Sequence, residues 1–279
     1  MILGFGYSAI ELANLCKQAG NWTVLGTSRR PESFKDSGHN IINFDLNSVS
    51  EALKGSTHVL ISTPTDTENK DPSFVQFGQV ISENALTIKW LGYLSSTGVY
   101  GNFDGKWIDE TAETHPVSQS GLARVTIEKE WLKLGEESKI PTQIFRLSGI
   151  YGPDRNYLFD LKSGRARSNY KKDHVFNRIH VKDIAACVFA AMCLSGPKNG
   201  EIFNVTDDLP AGSHEMVEYA ASLLKMEPPV RIDFDTADIS ERMREFYKSS
   251  KRIKNDKIKK LLGKELNYPT YKEGLESLL

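Results

Sequence analysis

The sequence predicts an α/β protein with a doubly wound parallel sheet and a smaller C-terminal lobe. Two observations carry this expectation. Residues 1–15 read as a short apolar strand, a Gly4-x-Gly6-x-x-Ala9 turn and a helical pattern. After them, short β-rich runs alternate with helical patterns over roughly a hundred residues, the rhythm of parallel strands joined by crossover helices. The expected organisation is a dinucleotide-binding domain over residues 1–150. Residues 151–279 then form mostly the C-terminal lobe, interleaved with the last strands and helices of the first domain.

The opening turn has the chemistry of a Rossmann dinucleotide site. Gly4 permits a tight turn after the strand. Gly6 lacks a Cβ, so backbone can approach a pyrophosphate closely. Ala9 is small enough for the helix to pack on the strand. Tyr7, Ser8 and Ala9 open that helix, where N–H groups and the positive dipole end face a phosphate. The same residues would also serve an ordinary strand-to-helix turn.

The second strand is expected at 22–27 and ends in Ser28-Arg29-Arg30. An NAD site usually places an acid here for the ribose 2′-hydroxyl; two arginines suit a 2′-phosphate instead. NADP is therefore the expected cofactor, with NAD as the alternative. The third strand, 41–44, closes on Asp45-Leu46. The Asp45 carboxylate can reach an adenine amino group there or cap the next helix, 47–54. The fourth strand, 58–62, stops at Ser62-Thr63-Pro64, the strand edge at which an open α/β sheet binds its ligand. Residues 71–88 read as helix, 90–96 as the fifth strand and 140–147 as the sixth.

Composition narrows the function classes. The chain has 279 residues, 39% hydrophobic and 25% charged, with a net charge of -1, which offers nothing to attract nucleic acid or an acidic membrane. Cys16, Cys187 and Cys193 are scattered and show no metal-ligand spacing, and no metal is expected. Cys16 and Cys187 fall in helical patterns and read as buried thiols. No run of about 18 apolar residues and no signal segment is visible, so the expectation is a cytoplasmic protein, monomer or homodimer, acting on a small molecule.

Four stretches together resemble the extended short-chain dehydrogenase/reductases, the group of NAD-dependent epimerases and dehydratases. They are Gly4-x-Gly6-x-x-Ala9, Leu94-Ser95-Ser96-Thr97-Gly98-Val99-Tyr100-Gly101, Arg146-Leu147-Ser148-Gly149-Ile150-Tyr151-Gly152-Pro153 and Arg178-Ile179-His180-Val181-Lys182-Asp183. Asn204 and Tyr268-Pro269-Thr270-Tyr271-x-x-Gly274-Leu275 are similar to the same group's C-terminal region. The resemblance implies a Rossmann domain with a substrate lobe closing over the ligand. It also implies that Ser96 is the catalytic hydroxyl bonding the reacting oxygen, and that Thr97, Tyr151, Arg155 and Arg178 line the substrate side.

The family's Tyr-x-x-x-Lys pair is absent. Aligned on 115–128, the tyrosine position is Ser120 and the lysine position is Arg124. A phenol can be tuned toward neutrality by a neighbouring cation; an aliphatic hydroxyl needs a separate base. Arginine stays protonated, so it can anchor a ribose or phosphate and cannot relay a proton. Tyr100, Tyr151 and His180 are the conceivable substitutes as proton donor, although each also suits a packing role.

In the C-terminal part, residues 155–172 are basic. This is either the region that meets a substrate diphosphate in the epimerase-like relatives or a solvated loop. Residues 183–193 have helical apolar spacing, Ser213 reads as the N-cap of a helix at 215–224, and the lysines of 248–260 read as a solvated helix face. Two functions follow from the sequence. One is an NADP-dependent oxidoreductase or nucleotide-sugar epimerase-like enzyme with a displaced acid/base. The other is an NADP(H)-binding sensor or regulatory protein without turnover.

Overall fold

A computed structural model describes residues 1–279, the side chain of Arg242 excepted. In chain order the elements begin with β1 (Ile2–Leu3), α1 (Tyr7–Ala19), β2 (Leu25–Ser28), β3 (Asn40–Asn43), α2 (Leu46–Leu53), β4 (His58–Ile61), α3 (Pro72–Glu83) and β5 (Trp90–Ser96). A 3-10 turn at Thr97–Tyr100 leads to β6 (Trp107–Ile108), α4 (Gln119–Ser138), β7 (Thr142–Leu147), β8 (Gly149–Tyr151), α5 (Tyr157–Lys162), β9 (Ser168–Tyr170), β10 (Arg178–His180) and α6 (Val181–Met192). The rest of the chain carries β11 (Glu201–Val205), α7 (Ser213–Leu223), β12 (Arg231–Asp233), α8 (Glu241–Phe246), β13 (Arg252–Ile253), α9 (Asp256–Leu262) and α10 (Tyr271–Glu276).

The chain divides into two compact units. The first comprises Met1–Ser96, Gln119–Arg146 and Ile184–Phe203; the second comprises Thr97–Ser118, Leu147–Asp183 and Asn204–Leu279.

The first unit is organised on a seven-stranded sheet in the order β11-β7-β5-β4-β1-β2-β3. The pairs β1–β2, β2–β3, β1–β4 and β4–β5 are all parallel. Strand order reverses between β1 and β4, and the crevice at such a reversal is where ligands bind in open α/β sheets. β5 is buried along Trp90–Ser95, the near-continuous apolar run of a strand covered on both faces. Its core includes Leu3, Val59, Ile61, Leu91, Phe77, Ile127, Trp131 and Ile144. Helix ends are set locally. Asp71 caps α3 by accepting from Ser73 N, with Pro72 in the first turn. Gly20, with φ of 81°, ends α1 in the left-handed conformation.

Several elements of this unit differ from the sequence expectation. Residues 22–24 are not strand; the Trp22 ring packs instead on His58 and Phe189. β3 and α2 each begin one residue earlier than expected. α3 stops at Glu83 rather than 88, because the Asn84 amide donates to Val80 O and the chain leaves in turns.

The second unit holds three two-stranded parallel sheets, β8–β10, β9–β12 and β6–β13. Tyr151, Leu158, Leu161, Met216, Val217, Ala220, Tyr271 and Leu275 form its core. A Cβ on Gly274 would lie 1.9 Å from the Tyr151 hydroxyl, so that glycine makes room for the phenol. The N-cap of α7 is Gly212, not Ser213: Glu215 reaches back to Gly212 N at 2.5 Å, while Ser213 Oγ meets the Tyr157 hydroxyl. The lysines of 248–260 are not one solvated face either. β13 interrupts the stretch, and Lys251 is buried, donating to Gly101 O and Ser249 Oγ. Its segment closes a pairing with β6, and a long amine reaches a carbonyl in that interior more readily than it reaches water. Cys16 and Cys187 are buried thiols, and Cys193 is exposed.

Candidate functional site

In the first unit, the glycine turn lies at the end of β1. Gly4 has φ of 88°, and a Cβ there would stand 2.8 Å from Thr63 Cγ2. Both facts demand glycine. Its N–H donates to Thr27 Oγ1, and Phe5 N donates to Thr27 O, which fix the turn against β2. Nothing lies within 4 Å of a Cβ built on Gly6, so the backbone there faces open space. Ala9, on the inner face of α1, is wholly buried. No side chain caps the N-terminus of α1 and its first turn carries no acid. The glycine cradle, the open Gly6 backbone and an uncapped helix end fit the pyrophosphate of a dinucleotide. Tyr7 is half-buried and Ser8 buried in the first turn.

β2 ends at Ser28, whose Oγ accepts from Arg30 N. Arg29 and Arg30 are exposed, and no ion pair engages either of them among the described residues. Asp45 caps α2, accepting from Ser48 N at 2.9 Å and Ser48 Oγ at 3.0 Å; these bonds lower its pKa. Leu46 is exposed beside it. Ser62 is half-buried and Pro64 exposed. Thr63 between them is buried, bonded to Asp71 Oδ1 and Ser73 Oγ. Asp71 also accepts from Trp131 Nε1 at 2.7 Å; burial raises its pKa against those hydrogen bonds.

β5 ends in Ser96, half-buried. On α4, Ser120 is exposed in the first turn, with Arg124 one turn along and Glu128 a further turn along. Arg124 Nη1 donates to the Tyr93 hydroxyl and to Leu94 O, both at 3.1 Å. Glu128 is buried and pairs with Arg146, Nη2 to Oε2 at 2.7 Å, while Ser95 Oγ donates to Oε1 at 2.5 Å. The C-terminal half of β5 is thus fastened to α4 on two successive rungs. Tyr93, Glu128 and Asp71 are not singled out by the sequence pattern, and Ser95 and Arg146 enter it only as members of longer motifs. An available signal was Glu128 at i+4 from Arg124 on the same helix, with Arg146 inside an apolar strand.

In the second unit, Thr97 and Tyr100 are buried. The Tyr100 hydroxyl donates to Asn204 Oδ1 at 2.7 Å, which commits that phenol to the interior and removes it as a proton donor to a ligand. Tyr151 is buried, donates to Thr270 O, and burial pushes its pKa up. His180 is wholly buried between Tyr151 and Tyr268, accepts from Lys182 N through Nδ1, and burial pushes its pKa down to about 4. Neither group presents an exchangeable proton outward. Arg155 is exposed. Arg178 is half-buried over the Phe176 ring, its carbonyl accepting from Asp207 N and Thr206 Oγ1. Asp183 accepts from Asn267 N, Asn267 Nδ2 and Tyr268 N, so it holds the 267–268 turn against the start of α6.

Among the described residues no helix is long and apolar enough to cross a membrane, and no group of three or more His, Cys, Asp or Glu side chains could hold a metal ion.

None of the curated proteins compared matches the chain. A conserved protein of unknown function from Silicibacter pomeroyi DSS is 38% identical, with a TM-score of 0.87, covering 99% of this chain and 96% of that one. MoeE5, solved with UDP-glucuronic acid and NAD, is 19% identical with a TM-score of 0.77, covering 99% and 95% of the two chains. The dTDP-glucose 4,6-dehydratase of Bacillus anthracis str. Ames, solved with NAD, is 16% identical with a TM-score of 0.79, covering 99% and 94%. The last two likenesses establish the fold. The profile of the NAD dependent epimerase/dehydratase family matches residues 2–206. The chain belongs to the NAD-dependent epimerase/dehydratase family.

Proposed function

We propose that this chain is an NADP(H)-dependent oxidoreductase acting on a carbonyl or sugar-like substrate. The observation that carries the cofactor choice is the pair Arg29 and Arg30, exposed at the end of β2 with no ion-pair partner among the described residues. Arginines rather than a carboxylate stand directly after Ser28, and guanidinium groups take a 2′-phosphate by charge-assisted hydrogen bonds. Gly4, Gly6 and the first turn of α1 would hold the pyrophosphate, with Thr63 supporting the Gly4 turn. A bound nicotinamide would supply or accept the hydride. Ser96 would donate its hydroxyl to the substrate oxygen as charge develops there. Arg124 would hold ligand oxygen atoms but carries no proton to and fro, and Ser120 is no base at neutral pH. The proton then comes from water reaching the strand end.

A second reading, an NADP(H)-binding protein without turnover, draws support from one observation. The phenol of Tyr100 is spent on Asn204, so it does not replace the tyrosine missing at Ser120.

The experiment is a fluorescence titration with NADPH and NADH. NADPH should bind more tightly, and Arg29→Asp should reverse the preference by about 1–3 kcal/mol through loss of a charge-assisted pair. Equal affinity for both cofactors, or none for either, overturns the assignment.

A further inference from the structure

Arg124 is a half-buried cation without a counter-ion among the described residues. Its Nη1 donates to Tyr93 Oη and Leu94 O, both neutral acceptors. The nearest carboxylate along α4, Glu128, is already taken by Arg146 and Ser95. Asp71, the other carboxylate near the Tyr93 ring, is held by Thr63, Ser73 and Trp131. Burial pushes the Tyr93 phenol well up, so it stays neutral and leaves the guanidinium charge uncancelled. Among the described residues, the fully buried Arg146 is paired with a carboxylate and the half-buried Arg124 is not.

A guanidinium has five N–H donors, and two of those on Arg124 are used through Nη1. The Nε–H and Nη2–H edge remains, and that edge is the fork that matches two oxygens of one anion. A lysine at the same place would offer a point charge without that geometry. The fork stands at the C-terminal end of β5, the ligand edge of an open α/β sheet.

We propose that Arg124, held in place by Tyr93, is the receptor for an oxyanion of the substrate, a carboxylate or a phosphate group. Tyr93 is the positioning residue: its hydroxyl fixes Nη1 so that the opposite edge is presented in one orientation. The inference rests on reading the chain as an NADP(H)-dependent oxidoreductase and narrows its substrate to an anionic carbonyl or sugar-like compound.

The test is arginine Nε–H NMR on ¹⁵N-labelled full-length protein, with and without NADPH. The Arg124 resonance is assigned by its loss in Arg124→Lys. Oxalate, inorganic phosphate and the neutral analogue oxamide are titrated in turn. Oxalate or phosphate should shift the Arg124 resonance saturably, and oxamide should not. The tighter of the two anions distinguishes a carboxylate substrate from a phosphorylated one. Tyr93→Phe should weaken that anion about tenfold, the order expected for one charge-assisted contact held less well, with NADPH affinity unchanged. A resonance moved and saturated by NADPH alone, with no further response to either anion, overturns the proposal by assigning the fork to the cofactor. No response to either anion overturns it as well. Loss of NADPH binding would instead sink the proposed function, and the anion titration of the free protein would still report on Arg124.

Discussion

Tyr100 and Asn204 lie 104 residues apart in sequence, and the phenol of one donates to the amide oxygen of the other at 2.7 Å with both side chains wholly buried. Asn204 continues the chain of bonds, its N–H donating to Glu110 Oε1 and its amide nitrogen to Lys254 O. The tyrosine that follows the Ser96 stretch therefore secures the 97–110 segment of the second unit rather than serving chemistry. Tyr100→Phe should cost about 1–2 kcal/mol, the usual loss when a buried acceptor is left without its donor. NADPH affinity should not change. Urea unfolding and cofactor titration on the same variant check both halves; an unaltered unfolding midpoint would show that the bond contributes nothing.

Much of the fold was legible because its signals are local. The glycine turn, the alternation of short apolar runs with helices and the run 90–96 each follow from neighbouring residues, and β5 spans Trp90–Ser96 as expected. What was not legible depends on distant partners. Nothing near Lys251 in sequence says that its amine will meet Gly101 O, 150 residues away, so the run of lysines around it reads as a solvated face. Ser213 has the composition of an N-cap, but Glu215 bonds Gly212 N and the cap falls one residue earlier. At the candidate site, Ser96, Ser120 and Arg124 could be picked out by position. Tyr93, which holds Arg124, could not, because a tyrosine inside an apolar strand looks like core and is core except for one oxygen.

The Glu128–Arg146 pair fastens α4 to β5 through Ser95, with Arg146 Nη2 to Glu128 Oε2 at 2.7 Å and about 5% of each side chain exposed. Glu128→Gln keeps the shape and removes the negative charge that a buried guanidinium faces. It should destabilise by about 3–5 kcal/mol, the cost of breaking a buried pair from one side. Adding Arg146→Met should recover most of that loss, because the stranded charge disappears. Denaturant midpoints for the two single variants and the double variant form the cycle. A double variant as unstable as the sum of the singles would show that the pair is not the source of the effect.

Lys251 links stability to pH. Desolvation lowers its ammonium pKa from 10.5 to about 8 in the folded protein. Between those values the unfolded chain binds more protons than the folded one, so stability rises with pH across that window. Below about pH 8 both states are charged, and the folded state carries a burial penalty on the order of 3 kcal/mol. Lys251→Met removes the titration. The stability of the wild type relative to Lys251→Met should therefore increase from pH 8 to pH 10.5, by up to about 3 kcal/mol. Urea unfolding of the two proteins at matched pH measures the difference, which cancels other groups titrating in the same range. A difference independent of pH would mean that the amine is not desolvated.

Ser96 separates an enzyme from a binding protein. It ends β5, half-buried, at the edge where an open α/β sheet takes its ligand. On the proposed mechanism this hydroxyl would donate to the substrate oxygen as negative charge grows on it, and losing one such donor costs about a hundredfold or more in kcat. Ser96→Ala should then lower turnover by that order and leave NADPH affinity nearly unchanged, because the proposed phosphate sites are Gly4, Gly6 and the arginines after Ser28. The measurement is NADPH oxidation against aldehydes, ketones, 2-oxo acids and nucleotide-sugar derivatives, wild type and Ser96→Ala side by side. Anionic members of the panel should be the better substrates if Arg124 receives an oxyanion. Turnover that survives Ser96→Ala undiminished refutes the catalytic role, and tight NADPH binding without turnover on any class favours the protein as a cofactor-binding regulator.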